Sequence, residues 1–426
     1  MYLVIQPASV TTLNYWGNLF TMFSDLVSRG LVHQSTSGIT GPMTAYIGFD
    51  PTATSLHVGS LLPILNMVRL RRDGHRVIAL VGGGTGLIGD PSGKQSERGL
   101  LTREQIETNV VSLRDQIGRF VDTDCVVNNA DWLGGLSLMD FLRDIGKHFS
   151  VSAMVARDSV AMRLGREYGI SFTEFSYMLL QAYDFLALYD RFGCTLQCGG
   201  SDQWGNIVSG IDLVRRLRGV EVHGLTFPLV TRSDGSKFGK SEGDNIWLDP
   251  GLTSPYAFYQ FWFNTPDTDV ERRLKEFTFL PLDDIQRVMC EPVDIRLPQK
   301  LLAEQVTTFV HGRDALDKVL GITEVLFHGG WSSLSATDLE HVLVNAPYSE
   351  LAPDKLGVDL VSILVAGGLY PSRSQARTGV RQGGVSVNGK VEIDPQRTLT
   401  HTDFLLDKYI ILCKGKRNHH IIRLMP

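Results

Sequence analysis

The sequence predicts an α/β protein built on a doubly wound parallel sheet, followed by an α-helical domain and a small α+β domain. Three stretches carry that prediction. Met43 to Ser60 reads as a short apolar strand, an Asp50-Pro51 turn and the entry to a helix. Thr195 to Asn206 repeats the plan, with a short strand, Gly199-Gly200 and a second helix start. From Ser254 to about Gly321 only helical periodicity remains.

In chain order, residues 1–21 are expected to be a disordered extension. They contain no Lys or Arg, which argues against a secretory or mitochondrial leader, and Met22 is a candidate natural start. Phe23 to Val32 reads as an amphipathic helix. The helix after Asp50-Pro51 is expected to begin at Ser55, an N-cap residue, and to end near Gly74. His57 and Ser60 then stand on its first turn, able to face an anion drawn by the helix dipole; the competing reading is a βα unit with a chance histidine. A strand at Val77–Val81 leads to a glycine-dense stretch, Gly82 to Lys94, that lacks Walker spacing. Its charges, Asp90 and Lys94 with nearby Arg98, are either a solvated loop or ligand contacts at a strand end.

Thr102 to Ile117 is a helix with a Thr102-x-x-Gln105 capping box, and Val121 to Asn128 fits a strand. Residues 131–166 look like an insertion between two halves of the sheet. Phe172 to Asp190 is a long apolar helix with Tyr177, Gln181 and Asp184 on one face. Buried polar groups need partners, so this stripe is either a structural network or a pocket for a small ligand carrying an amine and a hydroxyl. Asp202, after Gly199-Gly200, is a ribose acceptor or a plain helix cap. Leu225 to Val230 is a further strand, and Ser233 to Ser241 is an aperiodic loop with Lys237 and Lys240, solvated or closing over polyphosphate.

Four helices are expected next, over 255–263, 270–277, 282–290 and 297–319. The domain bounds that follow are 22–245 for the sheet domain, 246–328 for the helical domain, 329–356 for a linker and 357–426 for a compact basic module. Asn388-Gly389 marks a hairpin in that module. It holds ten Lys/Arg against five acids, so it carries +5 and the remainder −10. A basic end on an acidic body suits a polyanionic partner.

The bulk numbers fit this division. A chain of 426 residues is too long for one core, and 43% hydrophobic with 20% charged content is ordinary globular composition. No apolar run reaches membrane-spanning length. The cysteines, Cys125, Cys194, Cys198, Cys290 and Cys413, are odd in number and scattered, which argues for a reducing, cytoplasmic compartment. Cys194 and Cys198 have no neighbours that complete a metal set, so they read as core thiols and no metal site is expected.

The ordered motifs Phe49 to Ser60, Thr85 to Gly93, Gln181 to Asp184, Gly199 to Trp204 and Lys237 to Ser241 closely resemble those of the bacterial-type tyrosyl-tRNA synthetases, which are class I aminoacyl-tRNA synthetases. The resemblance runs from Leu26 to the end, and Ser372 to Lys390 resembles their small RNA-binding domain. It implies a Rossmann-like doubly wound catalytic domain, a ligase activity, ATP as substrate with Mg2+ accompanying it, L-tyrosine and tRNA(Tyr) as further substrates, and a homodimer joined through 131–166.

Residue roles follow from the same resemblance. Thr52, His57, Ser60, Lys94, Arg98, Lys237 and Lys240 would stabilise the phosphates during attack by the tyrosine carboxylate. Gly48, Asp50, Gly200, Asp202 and Ser241 would join Thr52, His57 and Lys240 in holding ATP. Asp90, Tyr177, Gln181 and Gln203 would bind the amino and carboxylate end of tyrosine, and Tyr46 with Asp184 its phenol hydroxyl. Arg373, Arg377, Arg381 and Lys390 would contact RNA. Two positions depart from the pattern: Ser60 replaces a second histidine, and Ile47 stands where many relatives have cysteine. The alternatives are a tryptophan enzyme of the same class, an inactive RNA-binding homologue and a small-molecule nucleotidyltransferase.

Overall fold

A computed structural model describes residues 23–39, 41–92, 101–157, 160–161, 164–165, 169–231, 238, 240–241, 244–292, 295–328, 348–352, 357–415 and 418–425. The chain forms two compact units, Met1–Asp249 with Pro266–Pro298, and Pro250–Thr265 with Gln299–Pro426.

The first unit holds a six-stranded sheet of β1 (Gln34–Ser35), β2 (Thr44–Phe49), β3 (Arg76–Val81), β4 (Val126–Asn128), β5 (Leu196–Gly200) and β6 (His223–Phe227). Their order is β1-β6-β5-β2-β3-β4, and every pairing is parallel except β1 with β6. The chain winds outward from β2 through β3 to β4, then returns to place β5 on the other side of β2. The winding therefore reverses between β2 and β5, where the carboxyl ends of the strands open a crevice. The crossover helices are α1 (Val58–Arg72), α2 (Arg103–Gly118), α3 (Phe172–Phe192) and α4 (Trp204–Arg218). Helices on the sheet faces bury the strands, which is why β3 is apolar from Val77 to Val81 rather than alternating.

Local signals placed most boundaries within a residue or two. The Thr102–Gln105 capping box closes in both directions, by Gln105 N–H to Thr102 Oγ1 and Thr102 N–H to Gln105 Oε1. Other expectations need correction. His57, not Ser55, caps α1, because Ser55 is buried and accepts from Gln116 Nε2 and the Asp249 N–H. The strand expected over 121–128 shrinks to Val126–Asn128, since Thr123–Cys125 coils into a 3-10 turn. The insertion breaks into short helical pieces around 130–155.

Helical residues beyond 246 do not act as one body. α5 (Pro255–Phe263) belongs to the second unit, whereas α6 (Asp267–Phe277) and α7 (Leu282–Met289) belong to the sheet unit. The cause is Arg69 of α1. Its buried guanidinium donates to the carbonyls of Glu276 at 2.9 Å and Thr278 at 2.8 Å, fastening α6 beside α1. The helix expected over 297–319 is two, α8 (Leu297–His311) and α9 (Arg313–His328), parted at Gly312 with φ +87°.

In the second unit a further sheet has the order β11-β10-β12-β13-β9. Its strands are β9 (Tyr348–Leu351), β10 (Val385–Val387), β11 (Lys390–Glu392), β12 (Tyr409–Lys414) and β13 (Asn418–Leu424). α10 (Leu360–Ala366) and α11 (Arg373–Arg381) cover it, around a core that includes Leu364, Val380, Ile410 and Leu412. The expected hairpin is present: Asn388 and Gly389 both take positive φ, and Val387 faces Lys390. β9 corrects the linker expectation. It lies inside 329–356 yet pairs in parallel with β13; residues 329–347 lie outside the described set.

Candidate active site

The crevice between β2 and β5 is a cleft of roughly 290 Å³. Tyr46, Gly48, Asp50, Thr52, His57, Ser60, Asp90, Tyr177, Gln181, Asp184, Gly200 and Gln203, all singled out from sequence, line it together. Lys94, Arg98 and Lys237 lie outside the described residues. Lys240 and Ser241 form a short strand paired with Asp244–Asn245. Asp202 sits in the 3-10 turn Ser201–Gln203, its carboxylate closely over Gly200.

At the deep end, Tyr46 packs edge-on against Phe185 with centroids 5.5 Å apart. Its hydroxyl is buried and has no hydrogen-bond partner among the described residues. Asp184 is also buried. Its oxygens accept from Trp132 Nε1 at 2.7 Å and Asn129 Nδ2 at 3.0 Å. Burial outweighs these donors and pushes the carboxyl pKa up to about 7. An acceptor and an unsatisfied hydroxyl in one apolar pocket suit a ligand hydroxyl that donates to one and accepts from the other.

Above them, amides and carboxylates interlock. Gln203 Nε2 donates to Asp90 at 2.7 Å, and Gln181 Nε2 to Gln203 Oε1 at 3.2 Å. Asn206 Nδ2 reaches Gln181 Oε1 at 2.9 Å. Tyr177 donates its hydroxyl to Asp50 Oδ2 at 3.0 Å, while Thr85 donates to Asp50 Oδ1 at 3.0 Å. Burial and Asp50 hold the Tyr177 pKa well above its ordinary value, so the hydroxyl stays a donor. Two carboxylates that take these hydrogen bonds from neutral donors and not from a cation suit an ammonium group.

At the mouth, the His57 ring accepts at Nδ1 from the Gly59 N–H at 3.0 Å. This corrects the first-turn placement: His57 is the cap and Ser60 stands within the helix, although both line the same cleft. Residues 246–248 run beside them, through Val58 N–H to Ile246 O at 2.9 Å and Leu248 N–H to Leu56 O at 2.8 Å. The segment that follows Lys240 is thus bonded directly to the turn that carries His57.

Sequence reasoning missed Asn129, Trp132, Asn206 and Thr85. Each follows a strand end of the sheet or opens the helix there, which is the one signal that marked them. In the tail, Arg377, Arg381 and Lys390 are exposed, whereas Arg373 pairs with Asp359 at 3.1 Å. Among the described residues, no group of His, Cys, Asp and Glu could hold a metal ion. Cys194 and Cys198 are buried and free. No helix among the described residues is long and apolar enough to cross a membrane.

A mostly parallel sheet with a polar cleft at its switch point is the architecture that nucleotide-binding α/β proteins share. Residues 39–328 match the family described as "tRNA synthetases class I (W and Y)", and residues 338–422 match "Tyrosine--tRNA ligase SYY-like C-terminal domain". The chain is 47% identical to the tyrosine–tRNA ligase of Roseiflexus castenholzii, over 95% of this chain and all of that one. It is 48% identical to that of Geobacillus stearothermophilus, over 94% and 99%. A truncated mitochondrial tyrosyl-tRNA synthetase of Aspergillus nidulans superposes with TM-score 0.65 at 31% identity, covering 74% of this chain and 98% of its own. A tryptophanyl-tRNA synthetase of Encephalitozoon cuniculi, at 12% identity and TM-score 0.52, shares the fold. The chain belongs to the class I tRNA synthetases, within them to the tyrosine–tRNA ligases, and is an aminoacyl-tRNA synthetase.

Proposed function

We propose that the cleft activates L-tyrosine with ATP to tyrosyl-adenylate and pyrophosphate, and that the chain then transfers tyrosine to the 3′ end of tRNA(Tyr). One observation carries the choice of tyrosine: Asp184 and the Tyr46 hydroxyl stand in the same buried pocket, the latter with no partner among the described residues. Phenylalanine would leave the Tyr46 hydroxyl without a partner and take from Asp184 the donor it would gain beyond Trp132 and Asn129, and tyrosyl-tRNA synthetases are the standard case of such rejection. Tryptophan lacks the hydroxyl as well as the shape.

The tyrosine ammonium is assigned to Asp90, Tyr177 and Gln181, with Gln203 toward the carboxylate. The carboxylate is already ionised, so attack on the α-phosphate needs no general base. Catalysis is then positioning and charge stabilisation. Thr52, His57 and Ser60 at the start of α1, with Lys94, Arg98, Lys237 and Lys240, are assigned to the phosphates. Gly48, Asp50, Gly200, Asp202 and Ser241 are assigned to ATP. The Gly59 N–H donates to His57 Nδ1 and so fixes the ring at the start of α1. Ser60 keeps one hydroxyl donor where the family pattern has an imidazole. Magnesium enters with ATP as part of the substrate.

The basic module from β9 onward is assigned to tRNA, by phosphate and shape contacts through Arg377, Arg381, Lys390 and Arg373. A homodimer through 131–166 is supported by exposed apolar side chains at Leu138, Met139 and Val151, 70%, 75% and 66% accessible, with Phe172 alongside at 77%. The compartment assigned is the cytoplasm, in keeping with the free cysteines. Amino-acid-dependent ATP–pyrophosphate exchange tests the core of the reading. Exchange with tyrosine and not with phenylalanine or tryptophan is expected; none with tyrosine overturns it. Sedimentation of the full chain tests the dimer, and a monomer at micromolar concentration overturns that part.

A further inference from the structure

Thr85 has no part in the assignments above, yet it lies at the centre of a run of hydrogen bonds that joins two ends of the cleft. Asn129, 0% exposed, follows directly on β4. Its Oδ1 accepts the Gly84 N–H at 2.7 Å, and a backbone N–H can only donate, so the amide has one orientation. The two hydrogens of Nδ2 then go to Asp184 Oδ2 at 3.0 Å and to Thr85 Oγ1 at 2.9 Å. Thr85, 2% exposed, has one hydroxyl hydrogen and passes it to Asp50 Oδ1 at 3.0 Å. Tyr177 spends its own hydroxyl hydrogen on Asp50 Oδ2 at 3.0 Å, so its oxygen offers lone pairs, as an ammonium requires. Tyr177 and Asp184 stand about two turns apart on α3, a span of about 10 Å. The run Asp184–Asn129–Thr85–Asp50–Tyr177 therefore connects both ends of that helical stripe through residues that follow β4, β3 and β2.

We propose that Thr85 is a positioning residue for tyrosine: by linking Asn129 to Asp50 it aims the ammonium end and the phenol end of the pocket together. The proposal rests on the assignment above of the ammonium to Tyr177 and of the phenol to Asp184. Without the Thr85 hydroxyl, Asp50 Oδ1 loses a donor and one Asn129 hydrogen loses its acceptor in a single step. Buried polar groups deprived of a partner are costly and turn toward another. Asp50 then no longer fixes the Tyr177 hydroxyl, and Asn129 no longer fixes Asp184. Hydrogen bonds in series also polarise one another, so a break in the middle weakens both sides. Thr85 acts through Asp50 and Asn129 and needs no contact with the ligand.

The test is equilibrium displacement of labelled tyrosine from the full-length protein by three probes, which needs no turnover. Tyramine carries both groups, 4-ethylphenol lacks the ammonium and phenethylamine lacks the hydroxyl. The Kd ratio of 4-ethylphenol to tyramine reads the ammonium end, and that of phenethylamine to tyramine reads the phenol end. Thr85→Val keeps the side-chain shape and removes the hydroxyl. Both ratios are expected to fall by about 3- to 10-fold, and Thr85→Ser is expected to restore both. A merely structural role weakens all three probes alike and leaves the ratios at the parent's values. That result, a fall in one ratio only, or Thr85→Ser ratios as low as those of Thr85→Val overturns the proposal. If circular dichroism finds Thr85→Val unfolded, Thr85→Ala read in the same way decides. The parent's own ratios separate the two readings. Tyramine binding the parent no better than the other two probes removes the ammonium and phenol assignments, whereas clear parent preferences that Thr85→Val retains remove only the role of Thr85.

Discussion

Trp132 donates its indole N–H to Asp184 at 2.7 Å, from an element 52 residues away in the chain. With Asn129 it decides how the carboxylate at the base of the cleft is aimed. Trp132→Phe keeps the ring volume and removes that donor. The tyrosine KM in pyrophosphate exchange should rise about tenfold, the cost of one hydrogen bond to a charged group. The ATP KM should stay within about twofold, since ATP phosphates are assigned to the other end of the cleft.

The pH response of Asp184 has a definite sign. Its pKa rises from 3.8 to about 7 on folding, so the folded state takes up a proton between those values. This contribution to stability is fully present below about pH 4 and is lost as pH rises through about 7. Asp184→Asn carries no such proton, so its Tm should fall less than the parent's across that window. In activity, the parent's KM for tyrosine should drop as pH rises through 7 and the carboxylate becomes the phenol acceptor. Parallel KM profiles for parent and variant would remove Asp184 from that role.

Gly82 sits where a side chain has no room. A Cβ there would fall within contact distance of both Asp50 Oδ1 and Thr85 Oγ1. Gly82→Ala must therefore split the Thr85–Asp50 bond that steadies the acceptor for Tyr177. Thermal unfolding should register a loss of about 1–3 kcal/mol, and exchange activity should fall with it.

Arg69 is buried on α1 and serves three carbonyls of the α6 end, with Asn66 beside it. Burial lowers its pKa to about 9, yet it remains charged at neutral pH. Arg69→Met leaves those acceptors without their donor and should cost about 3–5 kcal/mol by urea denaturation. A loss below 1 kcal/mol by that measure would mean that α6 is held by apolar packing instead.

Because β9 completes the tail sheet, a clean truncation must start before Tyr348 rather than at Gly357. Removing 348–426 should spare adenylate formation and abolish most tRNA charging. In the full chain, the tRNA affinity should weaken steeply with salt, and Arg377→Gln should make the slope shallower by about one.

Sequence alone determined what depends on near neighbours. The Thr102–Gln105 capping box, the Asn388-Gly389 hairpin and the strand–turn–helix units at β2 and β5 are each specified within a few residues, where backbone geometry and capping leave few options. The polar stripe Tyr177, Gln181 and Asp184 was legible for the same reason, since helical spacing puts it on one face. Their joint resemblance to a synthetase also named the chemistry. Tertiary structure alone decided how those residues are satisfied and where units divide. Asn129 and Trp132 reach Asp184 only because β4 ends beside the cleft, and Arg69 captures carbonyls some 207 residues away, drawing α6 out of the helical segment that its periodicity announced. Such pairings depend on which buried donor meets which orphan carbonyl, and periodicity along one segment carries no record of the partner.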